Sequence, residues 1–295
     1  MNFRLVCSDL SWATVHAALE TLNSENVYSY MDKIYRVSKN EIEIDSKTSW
    51  LASCSAHTMN RFVKLLKKKK LVAEKSIFQF AVYCFSLLLN TVELEATKTV
   101  FRLICIVFLR TKKASVFTEA LDALKELMDK RTNDKIEIDG IIRKYSSNLL
   151  TNATSEPTSD SNEEIEQPSE EVEENDLNEL MRDFCSNSKT IKDSSPFARC
   201  FREIQAQIKA IDISDEFFDE NPFYNESFID YLLDNHMPYI FIWGSYAFKG
   251  LDITRITNGC IENLFKFRKS LFSALYPADY MTRTYDMIMG KFSLK

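Results

Sequence analysis

Apolar residues recur at helical spacing along most of the chain, and this pattern sets the predicted element map. Ser76–Leu89, Leu94–Leu109 and Ser115–Arg131 have broad apolar faces bulked by Phe78, Phe80, Phe85, Phe101, Phe108 and Phe117. The spacing predicts three packed helices there, with a shorter fourth over Ile136–Asn148. Further helices are predicted over Ser11–Leu19, Val27–Val37, Phe228–Leu233, and from Pro196 to Ile211, with a turn at Asn221-Pro-Phe-Tyr. Trp50–Phe62 also reads as helical. Phe3–Ser8 reads as a short strand with Asp9 at its carboxyl end. Met237–Trp243 is a continuous apolar run that fits a second short strand or a buried segment. Near the C-terminus a Thr-Asn-Gly turn opens a helix from Ile261, with Asn258 or Thr257 as its cap. Glu262, Lys266 and Lys269 share a face of that helix at i, i+4 and i+7.

Five glycines and six prolines favour helices over a turn-rich β-sandwich. Seven scattered cysteines show no repeated spacing, which points to a reducing compartment rather than a disulfide framework. No basic segment followed by a long apolar core opens the chain, so it is not expected to be secreted. The run from Ile77 to Asn90 is too short to span a membrane, and Arg102 interrupts the next one.

Charge changes the picture more than composition does. The net charge is -6, but Thr151–Leu177 holds ten acids and no Lys or Arg. The rest of the chain has 33 acids against 37 cations, a net +4. The stretch from Thr151 to Asp176 is rich in Ser, Thr, Pro and Glu, a composition typical of disorder. Four segments follow: 1–45, a helical block at 46–150, an acidic linker at 151–195, and 196–295.

Several residues carry candidate chemistry. Asp9 stands where α/β sheets gather chemistry, at a strand's carboxyl end, although taken alone a turn residue capping the next amides fits better. Cys54 and His57 are three apart and share one side of a helix. Two soft ligands fall short of the four that structural zinc sites use, so a packed Cys and a hydrogen-bonded His fit better. Lys64 and the run Lys67, Lys68, Lys69 and Lys70 suit a solvated helix end first and phosphate contacts second, with no aromatic or Arg-Gly pattern for sequence-specific binding. Glu262 reads either as a solvated acid paired with Lys266 or as a site acid.

Three motifs together resemble a known group. Cys7-Ser-Asp9-Leu-Ser-Trp-Ala, Cys54-Ser-Ala-His57 and Thr257-Asn-Gly-Cys-Ile-Glu262-Asn-Leu-Phe-Lys266 are similar to cut-and-paste DNA transposases with an RNase H-like core. The likeness is to the group with a Cys-x-x-His motif, including Mutator-like, hAT-like and Kolobok-like enzymes. The resemblance implies a mixed α/β, mostly helical chain: an incomplete RNase H-like core with a large all-α insertion. In such enzymes the second acid follows a core strand, the third lies on a helix, and a helical insertion separates them. Asp9 and Glu262 would then be two of three carboxylates holding Mg²⁺ for two-metal phosphoryl transfer. Lys64, Lys67–Lys70, Lys266 and Lys269 would contact DNA phosphates, and Asn258 would shape the turn. Only eight residues precede Asp9 and none is acidic, so the first acid of the pattern is missing. That departure implies a fragment, a decayed copy or a domesticated remnant that does not cut DNA alone. It also implies a truncated sheet whose strand Phe3–Ser8 pairs at most with Tyr239–Trp243 and tends to self-associate through its other edge. A nuclear or cytoplasmic location follows. The competing expectation is a non-enzymatic helical adaptor that uses its acidic linker to bind basic partners.

Overall fold

The computed structural model describes residues 5–8, 12–43, 48–130, 135–145, 191–211 and 219–244. In chain order these hold strand β1 (Leu5–Ser8), helix α1 (Trp12–Ala18), a π-helical turn (Leu19–Asn23) and helix α2 (Val27–Ser38). Strand β2 (Trp50–Ser53) follows, then α3 (Ser55–Lys68), α4 (Lys75–Asn90), α5 (Leu94–Leu109), α6 (Ser115–Lys130) and α7 (Lys135–Tyr145). The remainder is α8 (Pro196–Ala210), α9 (Glu226–Asn235), a 3₁₀ turn (Met237–Tyr239) and the short α10 (Ile240–Trp243). The described protein is therefore mostly helical. No described helix is long and apolar enough to cross a membrane.

The two strands are parallel, with Leu5 opposite Trp50 and Ser8 opposite Ser53. Parallel neighbours need a crossover connection, and α1 and α2 supply it. Two asparagines fix the chain along that crossover. Asn26 caps α2, its Oδ1 accepting from the amides of Tyr28 and Ser29 at 3.0 Å. Asn23 acts like a one-residue strand beside the chain entering β2: Oδ1 accepts from Ser49 N at 2.8 Å and Nδ2 donates to Ser49 O at 2.9 Å. Leu51 N donates to the buried Tyr30 hydroxyl at 2.8 Å, and burial pushes that phenol's pKa up. A β2 amide that would otherwise be left unpaired in the core is satisfied in this way.

This pairing corrects one expectation. Tyr239–Trp243 is not the partner of β1; it lies in the 3₁₀ turn and α10, fully buried. Pro238 sits in the first turn of that segment, where its fixed φ and missing amide favour a helical start. The true partner, Trp50–Ser53, lies inside a stretch that reads as helical by periodicity.

Helix α5 is buried on nearly every side, from Leu94 and Ala96 to Val107 and Phe108, as expected of a helix apolar all round. It packs against α4, α6, α7, α8 and α9. One hydrophobic cluster runs from Val15 through these helices to Trp243, so residues of 46–150 and of 196–243 share a core. The carboxyl end of α5 is satisfied from far along the chain. Asn221 Nδ2 donates to Val107 O at 2.7 Å and Arg110 O at 2.6 Å. Asn225 N donates to Phe108 O at 2.8 Å. In return the Arg110 guanidinium donates to Ile208 O and Ile211 O at 2.8 and 2.7 Å, closing the carboxyl end of α8. Buried helix ends carry orphan carbonyls that must find donors, and these residues meet that demand.

Candidate functional site

A parallel strand pair shares one carboxyl edge, the edge at which open α/β sheets bind ligands. Here it is formed by Ser8 and Ser53, opposite each other in register. After Ser53 the chain turns at Cys54, whose extended backbone (φ −60°, ψ 119°) precedes the first turn of α3. Thr58 N donates to Cys54 O at 2.9 Å, and the buried Ser53 and Thr58 hydroxyls bond at 2.7 Å. These contacts pin the start of α3 to the end of β2. Cys54 is buried and His57, in the first turn, is half-buried. Cys54 is thus the capping residue of the helix that carries His57. Among the described residues no group of three or more His, Cys, Asp or Glu is placed to hold a metal ion.

The far end of α3 carries the lysine run. Lys64, Lys67, Lys68, Lys69 and Lys70 are all exposed. Two of them lie over aromatic rings: Lys67 Nζ is 5.7 Å from the centroid of Phe78, and Lys69 Nζ is 5.6 Å from that of Tyr231. Such contacts stabilise by roughly 0.5–1 kcal/mol at exposed sites. Lys70 has φ 49°, the left-handed conformation that glycine usually takes just past a helix end. A lysine there costs about 1 kcal/mol.

The platform under α3 is aromatic. Phe62 is fully buried, stacks on Phe85 at 4.1 Å and meets Phe228, Tyr231 and His236. His236 ends α9, with its Nε2 3.2 Å from the Tyr231 hydroxyl and its carbonyl accepting from Trp243 Nε1 at 3.0 Å. Burial, aided by the charge of Arg61, pushes the His236 pKa down to about 3. The unfolded imidazole titrates near 6.5, so the unfolded chain binds the proton more tightly. Stability is therefore full above that value and falls as pH drops from about 6.5 toward 3. Linkage gives a loss of about 2 kcal/mol between pH 7 and pH 5 from this group alone. Urea unfolding across that range should show the loss, and His236→Phe should flatten it; an unchanged slope in the variant would assign the effect elsewhere.

The structure brings Cys54, His57, Lys64 and Lys67–Lys70 together on one helix and its caps. Asp9, Asn258, Glu262, Lys266 and Lys269 lie outside the described residues. Sequence reasoning passed over Arg61, which stands four residues after His57 and three before Lys64 on α3; counting helical turns from His57 would have found it. No family model, curated protein or solved structure matches the chain.

Proposed function

We propose that the chain derives from a cut-and-paste DNA transposase with an RNase H-like core, that its partner is DNA, and that it works in the nucleus. Asp9 and Glu262 are two of its metal-binding carboxylates in this reading. One observation carries it: the register of Ser8 with Ser53. The next residues along the chain from those two strand ends are Asp9 and Cys54. Two of the three motifs that make the resemblance therefore start from one carboxyl edge, on strands joined by a helical crossover.

The donor chemistry fits Mg²⁺, a hard cation that takes carboxylate oxygens and keeps several waters. When bound, such ions activate an attacking oxygen and stabilise a leaving one. The chain's own residues would do the rest. Asp9 and Glu262 would hold Mg²⁺, Asn258 would shape a turn, and Lys266 and Lys269 would neutralise phosphate charge.

Titration with Mn²⁺, followed by the electron paramagnetic resonance of the free ion, tests this in solution. The full chain is expected to take up the ion, and Asp9→Asn and Glu262→Gln should each abolish the same site. No uptake, or uptake indifferent to both substitutions, would favour the helical adaptor instead.

A further inference from the structure

The lysines of α3 are not equivalent. Counting along the helix, His57, Arg61, Lys64 and Lys68 stand at i, i+4, i+7 and i+11, which places them on one face. Lys64 and Lys68 are exposed, and Arg61 and His57 are half-buried beside them. At 1.5 Å per residue the row is about 16 Å long. It starts at the carboxyl edge of the β1–β2 pair and ends at the exposed end of α3.

The charge around this row is one-sided. Between Asp45 and Glu74 the sequence holds seven cations and no acid, in a chain whose net charge is negative. Several surface lysines elsewhere meet acids: Lys33 with Glu25, Lys98 with Glu95, Lys125 with Asp122, and Lys130 and Lys144 with Glu126. Among the described residues Lys64, Lys68 and Lys70 form no ion pair. Lys70 also keeps its charge at a backbone position that favours glycine. Three cations left without acids on one helix and its cap suit a long anion with charge at regular spacing.

We propose that this face of α3 is a phosphate-tracking stripe for the backbone of double-helical DNA, leading it to the carboxyl edge of the sheet. The proposal rests on DNA being the partner, as in the reading above, and adds which residues hold it and in what direction it runs. Arg61, Lys64 and Lys68 contact successive phosphates in that order, and Lys70 extends the row past the helix end. Lys67 and Lys69, drawn over Phe78 and Tyr231, serve packing first. Because the contacts are to phosphates, binding is tolerant of sequence and weakens steeply with salt as counterions are released.

The test is anisotropy of a short labelled DNA duplex with the full chain, between about 50 and 200 mM salt. Lys64→Ala combined with Lys68→Ala is expected to lower the slope of log affinity against log salt by about 2, at roughly 0.9 per phosphate contact. Lys125→Ala combined with Lys130→Ala removes equal charge from α6 and should leave the slope in place. Lys70→Gly relieves the backbone and should raise the melting temperature while weakening binding, so its loss cannot come from unfolding. Equal slopes for the two double variants would overturn the stripe while leaving DNA as the partner. Absence of duplex binding by the unaltered chain would overturn the stripe and the choice of DNA together.

Discussion

Asn221→Leu is expected to destabilise the protein by about 3–5 kcal/mol, a large share of the 5–15 kcal/mol that holds a typical domain folded. Its Nδ2 donates to Val107 O and Arg110 O, and its Oδ1 accepts from Phe223 N at 2.8 Å. Leucine is close in volume, so packing changes little. It leaves two carbonyls and an amide without partners in a buried place, and each such group costs roughly 1–3 kcal/mol. Asn221→Asp should be at least as harmful at neutral pH, because a carboxylate sets acceptors against two carbonyl oxygens. Urea unfolding monitored by circular dichroism measures both. A shift of less than about 1 kcal/mol for Asn221→Leu would mean that water or another donor takes over the end of α5.

Phe62→Ala is expected to cost about 3–5 kcal/mol, the usual range for emptying a buried phenylalanine site. Phe62 is wholly buried and links α3 to α4 through Phe85 and to α9 through Phe228, Tyr231 and His236. Phe62→Leu keeps much of the volume and should cost less. The effect should be largest on α3, whose other buried side chains are only Thr58 and Leu66. Hydrogen exchange should therefore show α3 amides losing more protection than those of α5. Equal loss in both helices would show that α3 has no local opening of its own.

The long helices were legible because their periodicity is strong. The predicted Leu94–Leu109 coincides with α5, and Ser76–Leu89 and Ser115–Arg131 fall within a residue of α4 and α6 at each end. The strand β2 was not legible. Its four residues are all buried, so they show no alternation, and they run without a break into the pattern of α3. Cys54, an uncommon capping residue, gave no signal that a helix begins after it. Met237–Trp243 had the opposite problem, since a short apolar run fits a buried strand or a buried helix equally well. Asn221 was visible as a turn residue, but the carbonyls it satisfies belong to residues 111 and 114 positions earlier. Capping across that distance leaves no local mark. Of the candidate site, the lysine run was plain in the sequence. Which cations share a face follows from their spacing, His57, Arg61, Lys64 and Lys68 standing at i, i+4, i+7 and i+11.

The proposal of transposase descent rests most heavily on Asp9 and Glu262 as metal-holding carboxylates. Anomalous diffraction from crystals of the full chain grown with Mn²⁺ tests it most directly. That proposal predicts an anomalous peak bound by the Asp9 and Glu262 carboxylates. Asp9 and Glu262 on opposite sides of the molecule, with no metal between them, would contradict it.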